Sequence, residues 1–64
     1  MTLFIQDNKT EDVIFHTNEV FAIPATGDNL NVEGKWYKIL SRDFWFKNLR
    51  NLQDNSVTLW VEAI

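Results

Sequence analysis

The 64-residue chain contains no cysteine, one histidine, one proline and two glycines, and it has no long apolar run. Without cysteine it can form no disulfide and offers no thiolate to a metal, so a zinc site would need three carboxylates around His16. Gly27 and Gly34 are too few for the phosphate-binding loops G-x-G-x-x-G or G-x-x-x-x-G-K-[ST]. No apolar stretch approaches the roughly 18 residues of a transmembrane helix. We therefore expect no cofactor, no metal and no membrane contact.

Catalytic constellations are missing as well. Ser41 and Ser56 would each need His16 as a base, and neither serine lies in a nucleophile elbow between a strand and a helix. The adjacent carboxylates Glu11 and Asp12 lie in a wholly polar segment, where solvation is their ordinary role. No basic region precedes the first apolar residues, so no secretory signal is indicated. We expect a cytoplasmic protein that is not an enzyme.

The chain is rich in aromatic residues, with three Trp, one Tyr and five Phe, and 45% of it is hydrophobic. This composition indicates one small folded domain over residues 1–64. Alternation of apolar and polar residues with a period of two predicts strands over 2–6, 13–16, 19–23, 29–33, 36–46 and 56–62. If 13–23 is one bent strand, the fold is all-β with five strands. We expect a strongly bent sheet or a small barrel of SH3-like or OB-like type.

The alternation also assigns side chains to the two faces of the predicted sheet. The inward set comprises Leu3, Ile5, Leu30, Val32, Tyr37, Ile39, Val57, Leu59 and Val61. Gly27 predicts a turn over 26–28, and Gly34-Lys35 predicts the turn of a tight hairpin. Pro24 should end the strand before it, because proline has no N–H to donate to a ladder.

Residues 41–53 allow two interpretations. A helix would align Trp45 with Leu49 and Leu52 at helical spacing. Three consecutive aromatic residues favour a strand instead. We adopt a strand as far as the third aromatic residue, followed by a helical turn or loop over 47–53 that buries the two leucines.

Charge is distributed unevenly along a chain whose net charge is −3. Residues 35–50 carry five of the six cations and a single carboxylate, Asp43, whereas the rest of the chain carries eight carboxylates and one lysine. A basic strip of this kind could attract an anionic partner. Cations spread over the solvated edges of strands would give the same count.

Surface side chains are the remaining candidates for function. The outward faces of the last two predicted strands place Trp36, Leu40 and Trp60 together, flanked by Lys38 and Arg42. Exposed aromatic and arginine side chains are typical of interfaces, so we predict that these five residues bind a protein partner. Single-stranded nucleic acid, held by base stacking and by the cations, is the alternative partner, and a homodimer is a third possibility. The competing interpretation is that a loop or the N-terminal strand covers the two indoles to form a second small core.

The segment from Pro24 to Phe46 resembles a pattern of short bacterial and phage proteins of small β-barrel type. The pattern is P-x-x-G-D-x-h-x-h-x-G-x-x-Y-x-h-x-x-R followed by alternating aromatics, where h is hydrophobic, and it matches Pro24, Gly27, Asp28, Leu30, Val32, Gly34, Tyr37, Ile39, Arg42, Phe44 and Phe46. The resemblance implies a small β-barrel-like fold. It assigns no activity and no site residue. The short, acidic chain without catalytic residues suits a small accessory or inhibitor protein, and the resemblance alone suggests a phage or mobile-element type.

Overall fold

The computed structural model describes residues 1–20, 22–47, 50–51 and 54–64. Within these ranges the strands are β1 (Thr2–Asp7), β2 (Val13–Thr17), β3 (Asn29–Val32), β4 (Lys35–Trp45) and β5 (Ser56–Ala63). They form one sheet in the order β2-β1-β5-β4-β3, and the sheet is strongly curled into a half-barrel. The predicted all-β fold with a strongly bent five-stranded sheet is confirmed.

The first and the last strand of the chain, β1 and β5, lie in the interior of the sheet. β1 runs parallel to β5, with Thr2 opposite Ser56, and antiparallel to β2. β5 runs antiparallel to β4, which forms a hairpin with β3. Strands that are paired on both sides gain the most burial, which is why β1 and β5 supply much of the core. No helix in the described ranges is long and apolar enough to cross a membrane.

One face of the sheet, which we call the core face, carries the buried apolar side chains. Among the described residues the core comprises Leu3, Ile5, Val32, Tyr37, Ile39, Val57, Leu59 and Val61. All of them belong to the predicted inward set, and Leu30, the remaining member, is partly buried and packs against them. Complete burial of one such aliphatic side chain stabilises the fold by roughly 1.5–3 kcal/mol. We call the opposite face of the sheet the outer face.

The segment after β2 covers part of the core instead of extending the sheet. The predicted strand over 19–23 is wrong for its described residues, which are irregular, and residue 21 lies outside the described residues. The hydroxyl oxygen of Thr17 accepts a hydrogen bond from the backbone N–H of Glu19 at 3.1 Å, and this local bond turns the chain out of the ladder. Val20 and Ile23 then pack against the core. Their alternation therefore reflects contact with the core and not strand pairing.

Two glycine turns position the hairpin. The predicted turn at 26–28 is confirmed: Gly27 has φ +93°, and the N–H of Asp28 donates to the carbonyl of Ala25 at 3.0 Å. The hairpin turn lies one residue earlier than predicted. Its central residues are Glu33 and Gly34, with φ +52° and +89°, because a two-residue loop of this type needs positive φ at both positions.

β4 continues as a strand to Trp45, so the helical interpretation of 41–53 is wrong over 41–45. The predicted helical turn or loop at 47–53 falls largely outside the described residues, because 48, 49, 52 and 53 are not among them. The predicted burial of the leucines at 49 and 52 lies outside the described residues for the same reason.

Candidate functional site

A β-bulge in β4 decides which side chains share a face. Ile39 pairs with Val61, whereas the next pair along the two strands is Ser41 with Trp60. Leu40 is therefore one extra residue on β4, and the alternation of side chains shifts by one position beyond it. Even-numbered residues of β4 face outward before the bulge, and odd-numbered residues face outward after it.

All three tryptophans lie on the outer face. Trp36 precedes the buried Tyr37, Trp60 lies between buried residues of β5, and Trp45 pairs with the outward-facing Ser56. Trp36 is 54% exposed and Trp45 is 67% exposed, whereas Trp60 is half-buried. Since a strand rises about 3.3 Å per residue, Trp36 and Trp45 are separated by about 30 Å along the path of β4 and lie near its two ends. The interpretation that a second core seals the indoles is wrong for Trp36.

Trp60 is held in place on this face by a polar contact. Its indole Nε1 donates a hydrogen bond to Oδ2 of Asp43 at 2.8 Å. Asp43 lies opposite Thr58, one outward position along β4 from Ser41, the partner of Trp60. The indole therefore leans diagonally across the outer face, which accounts for its partial burial. The outer face has one fixed tryptophan near its middle and an exposed tryptophan at each end.

Two further residues of the predicted site remain near this surface. Lys38 is exposed on the outer face and lies opposite Glu62. Leu40 is half-buried at the bulge, without a cross-strand partner of its own in the described register. The carboxylate opposite Lys38 reduces the positive potential around that lysine.

Arg42 does not share the face of the tryptophans, and this corrects the predicted site. Its cross-strand partner is the fully buried Leu59, which places Arg42 on the core face. The physical reason is the extra residue at the bulge, which reverses the alternation for the rest of β4. The arginine side chain is exposed and lies over the ring of Phe44, with 5.6 Å between the guanidinium carbon and the ring centroid.

The end of β4 exposes aromatic rings on both faces. Phe44 and Phe46 stack on the core-face side, with 6.1 Å between ring centroids and 7° between ring planes. They are 43% and 54% exposed, although Phe44 lies opposite the fully buried Val57. Trp45 extends from the opposite side. This cluster of Phe44, Trp45 and Phe46, which we call the distal aromatic cluster, was missed among the predicted site residues.

The sequence did contain a signal for the distal aromatic cluster. Consecutive residues of a strand point to alternate faces, so three aromatic residues in a row must place at least one ring on each side. A sheet with a single buried face cannot cover all three. The strand assigned to this segment therefore already required an exposed aromatic ring at 45 or at its two neighbours.

Comparison with protein-family models, with curated proteins and with solved structures finds no match for this chain. The resemblance of the segment from Pro24 to Phe46 therefore stays a prediction. Within the described ranges, no group of three His, Cys, Asp or Glu side chains lies close enough together to hold a metal ion.

Proposed function

We propose that this chain is a non-enzymatic protein-binding module whose contact surface is the outer face of β4 and β5. The observation that carries the proposal is the exposure of Trp36 and Trp45, each more than half accessible, on one face of a single strand. Large apolar side chains exposed on one surface are a feature of interaction sites. Tryptophan is also among the residues most enriched at the energetic centres of interfaces.

The arrangement suits a partner that lies along the strand. A tryptophan buries roughly 150–250 Å² when it is fully covered, and Trp36 and Trp45 each still expose more than half of their surface. The two rings can therefore contribute to the apolar centre of an interface of about 800 Å² per partner. The hydrogen bond between Trp60 and Asp43 fixes the middle ring before the partner arrives. A fixed side chain loses less conformational entropy on binding, which favours affinity.

Protein is favoured over single-stranded nucleic acid by the distribution of charge. Nucleic-acid grooves interleave aromatic rings with cations on the same surface. Here Arg42 lies on the core face, while the outer face carries the carboxylates of Asp43 and Glu62 beside Lys38. The phosphates of a strand whose bases stack on the tryptophans would meet these carboxylates. The short length, the acidic net charge and the lack of catalytic residues suit a small accessory or inhibitor protein, and its assignment to a phage or mobile element rests on the resemblance alone.

The test compares partner capture by matched variants. Tagged wild-type protein, the double variant Trp36→Ala/Trp45→Ala and the control Phe15→Ala are used to capture proteins from cells that encode the chain. Phe15 is a suitable control because it is 38% exposed on β2, at the far edge of the sheet. We expect the same partner to be enriched by the wild type and the control and lost with the double variant, while circular dichroism shows all three folded.

Two results would overturn the proposal. The first is equal recovery of every captured protein by the double variant and the wild type. The second is quenching of tryptophan fluorescence by a short oligothymidylate at low salt that weakens steeply as salt is added, which would identify nucleic acid as the ligand. If the double variant proves unfolded, Trp45→Ala alone, at the more exposed position, gives the same comparison.

A further inference from the structure

β4 is longer than the strand that borders it on the side away from β5. β3 pairs with β4 only as far as Lys38, and the last backbone bonds on that side join Ile39 to Gly27 and Asp28. β4 nevertheless continues to Trp45, paired with β5 on its other side. Within the described ranges, no strand borders 41–45 on the side away from β5. We call this segment the free edge of β4.

The bulge determines which backbone groups point toward the free edge. The N–H and C=O of Ile39 point toward β3, since they bond to Asp28 and Gly27. Alternate residues of a strand direct these groups to the same side. The extra residue at Leu40 shifts the alternation by one, so the N–H and C=O of Arg42 and Phe44 point to the side where β3 has ended. These groups have the geometry to pair with an added strand.

The side chains at this edge are also exposed. Phe44 and Phe46 lie toward the core face and Trp45 lies on the outer face, so an added strand would contact aromatic rings on both of its sides. Natural edge strands are usually blunted by charged residues, proline or short length. The free edge spans five residues and includes the charged Arg42 and Asp43, but it has no proline and exposes aromatic rings on both faces. Such an edge is suited to β-augmentation, in which main-chain bonds give affinity and alternate side chains give specificity.

We infer that the free edge of β4 binds an extended, acidic segment of the partner protein as an additional strand of the sheet. This inference rests on the proposed protein-binding function and specifies its chemistry. Arg42 is exposed on the core face beside the free edge, and neither β4 nor β5 places a carboxylate on that face. An acidic side chain on the added strand complements this arginine, whereas a second copy of this chain would bring its own arginine to the same edge.

The test removes one backbone donor without changing a side chain. A chain of 64 residues can be synthesised with an N-methyl group on the amide of Phe44. N-methyl-His16 is the matched control at the other edge of the sheet. The backbone N–H of Thr2 donates to the carbonyl of Asn55, so the backbone groups of even-numbered β1 residues point toward β5. His16 lies opposite Phe4 in the antiparallel pair of β1 and β2, so its backbone N–H points away from β1 into solvent. A displayed library of random twelve-residue peptides is selected on the wild-type protein, and the enriched peptides are measured by fluorescence anisotropy.

We expect the enriched peptides to carry an excess of Asp and Glu and to alternate apolar with acidic residues. N-methylation of Phe44 should weaken their binding about tenfold or more, and N-methylation of His16 should leave it unchanged. Slowed amide exchange of Arg42 and Phe44, but not of His16, on addition of peptide to the unmodified protein should agree. This second measurement decides the question if the methylated chain fails to fold.

Several outcomes would overturn the inference. They are equal binding of the peptides to both methylated proteins, enrichment of peptides without acidic residues, and a failure to enrich any peptide. A dimer in sedimentation that N-methylation of Phe44 dissociates would identify a second copy as the occupant instead. Capture of the natural partner that depends on Trp36 and Trp45 but survives N-methylation of Phe44 would leave the proposed function intact and reject this inference alone.

Discussion

The indole Nε1 of Trp60 and the carboxylate Oδ2 of Asp43 form a 2.8 Å hydrogen bond across the β4–β5 pair. Because their direct cross-strand partners are Ser41 and Thr58, the bond runs diagonally over the outer face. A bond to an ionised acceptor is stronger than one between neutral groups, although contact with water reduces its net contribution. The bond joins the strand that carries the two exposed tryptophans to the strand that carries the third.

Removing this bond should destabilise the fold by a measurable amount. We expect Trp60→Phe, which keeps most of the ring packing but removes the donor, to lower the free energy of unfolding by about 0.5–1.5 kcal/mol. Asp43→Ala should lower it similarly. In the double variant the two losses should not add, since both remove the same bond. Urea unfolding of the four proteins measures the coupling, and strictly additive losses would show that the bond contributes nothing.

The hairpin turn offers a stabilising substitution. Glu33 occupies a left-handed conformation with φ +52°, which is unfavourable for a residue with an ordinary side chain. Asparagine followed by glycine is the preferred pair for such a turn. We expect Glu33→Asn to raise the free energy of unfolding by about 0.5–1 kcal/mol. Thermal denaturation followed by circular dichroism measures the change.

Gly34→Ala is the matched control for this turn. A Cβ at Gly34 would meet no atom within 4 Å, so its effect comes from the backbone conformation at φ +89° and not from a clash. We expect a loss of about 1–2 kcal/mol. A neutral Gly34→Ala, or a destabilising Glu33→Asn, would contradict the assigned turn geometry.

The residues of the core face could be predicted because they follow from the alternation of apolar and polar residues along each strand. Val57, Leu59 and Val61 alternate with polar residues or with Trp60, and only the apolar set can leave water without losing hydrogen bonds. The same pattern over 19–23 was misleading, because alternating apolar residues can also pack down on a core from an irregular segment. Sequence periodicity reports which side chains are buried and not whether their backbone is paired.

Which side chains share the outer face depends on the β-bulge at Leu40, and the alternation of apolar and polar residues does not reveal it. Nothing in the sequence Ile39-Leu40-Ser41 marks a bulge, since all three residues are compatible with a regular strand. One extra residue nevertheless moves Arg42 to the core face and brings Trp45 to the outer face. The predicted outward positions of Trp36 and Lys38, which precede the bulge, are confirmed. The predicted outward position of Arg42, which follows the bulge, is wrong.

Stability should be concentrated in the residues of the core face. Leu59 is fully buried, and we expect Leu59→Ala to cost about 2–5 kcal/mol, from lost burial and the cavity left behind. This is a large share of the few kcal/mol expected for so small a domain. Thr58→Ala, at the adjacent outward position, should change stability by about 0.5 kcal/mol or less. Comparable losses for the two variants in urea unfolding would contradict the one-sided core.

The carboxylate of Asp7, at the end of β1, should make the free energy of unfolding depend on pH. Oδ1 of Asp7 accepts hydrogen bonds from the backbone N–H groups of Lys9 at 2.7 Å and Thr10 at 3.1 Å. These bonds, with smaller contributions from the cations of Lys35 and Lys9, lower the pKa of Asp7 below its ordinary value of 3.8. The charged form is therefore favoured in the folded state relative to the unfolded state.

The direction of the pH effect follows from this lowered pKa. Above the ordinary value of 3.8 the stabilisation by Asp7 is complete, and it is lost as the pH falls below that value through the lower pKa of the folded state. Asp7→Asn keeps a side-chain oxygen but cannot ionise. We expect the wild type to exceed this variant in free energy of unfolding at neutral pH, and the difference to shrink in acid. Because backbone hydrogen bonds are the main cause, added salt should change the difference little. A difference that is constant with pH, or that salt abolishes, would show that these bonds do not control the titration.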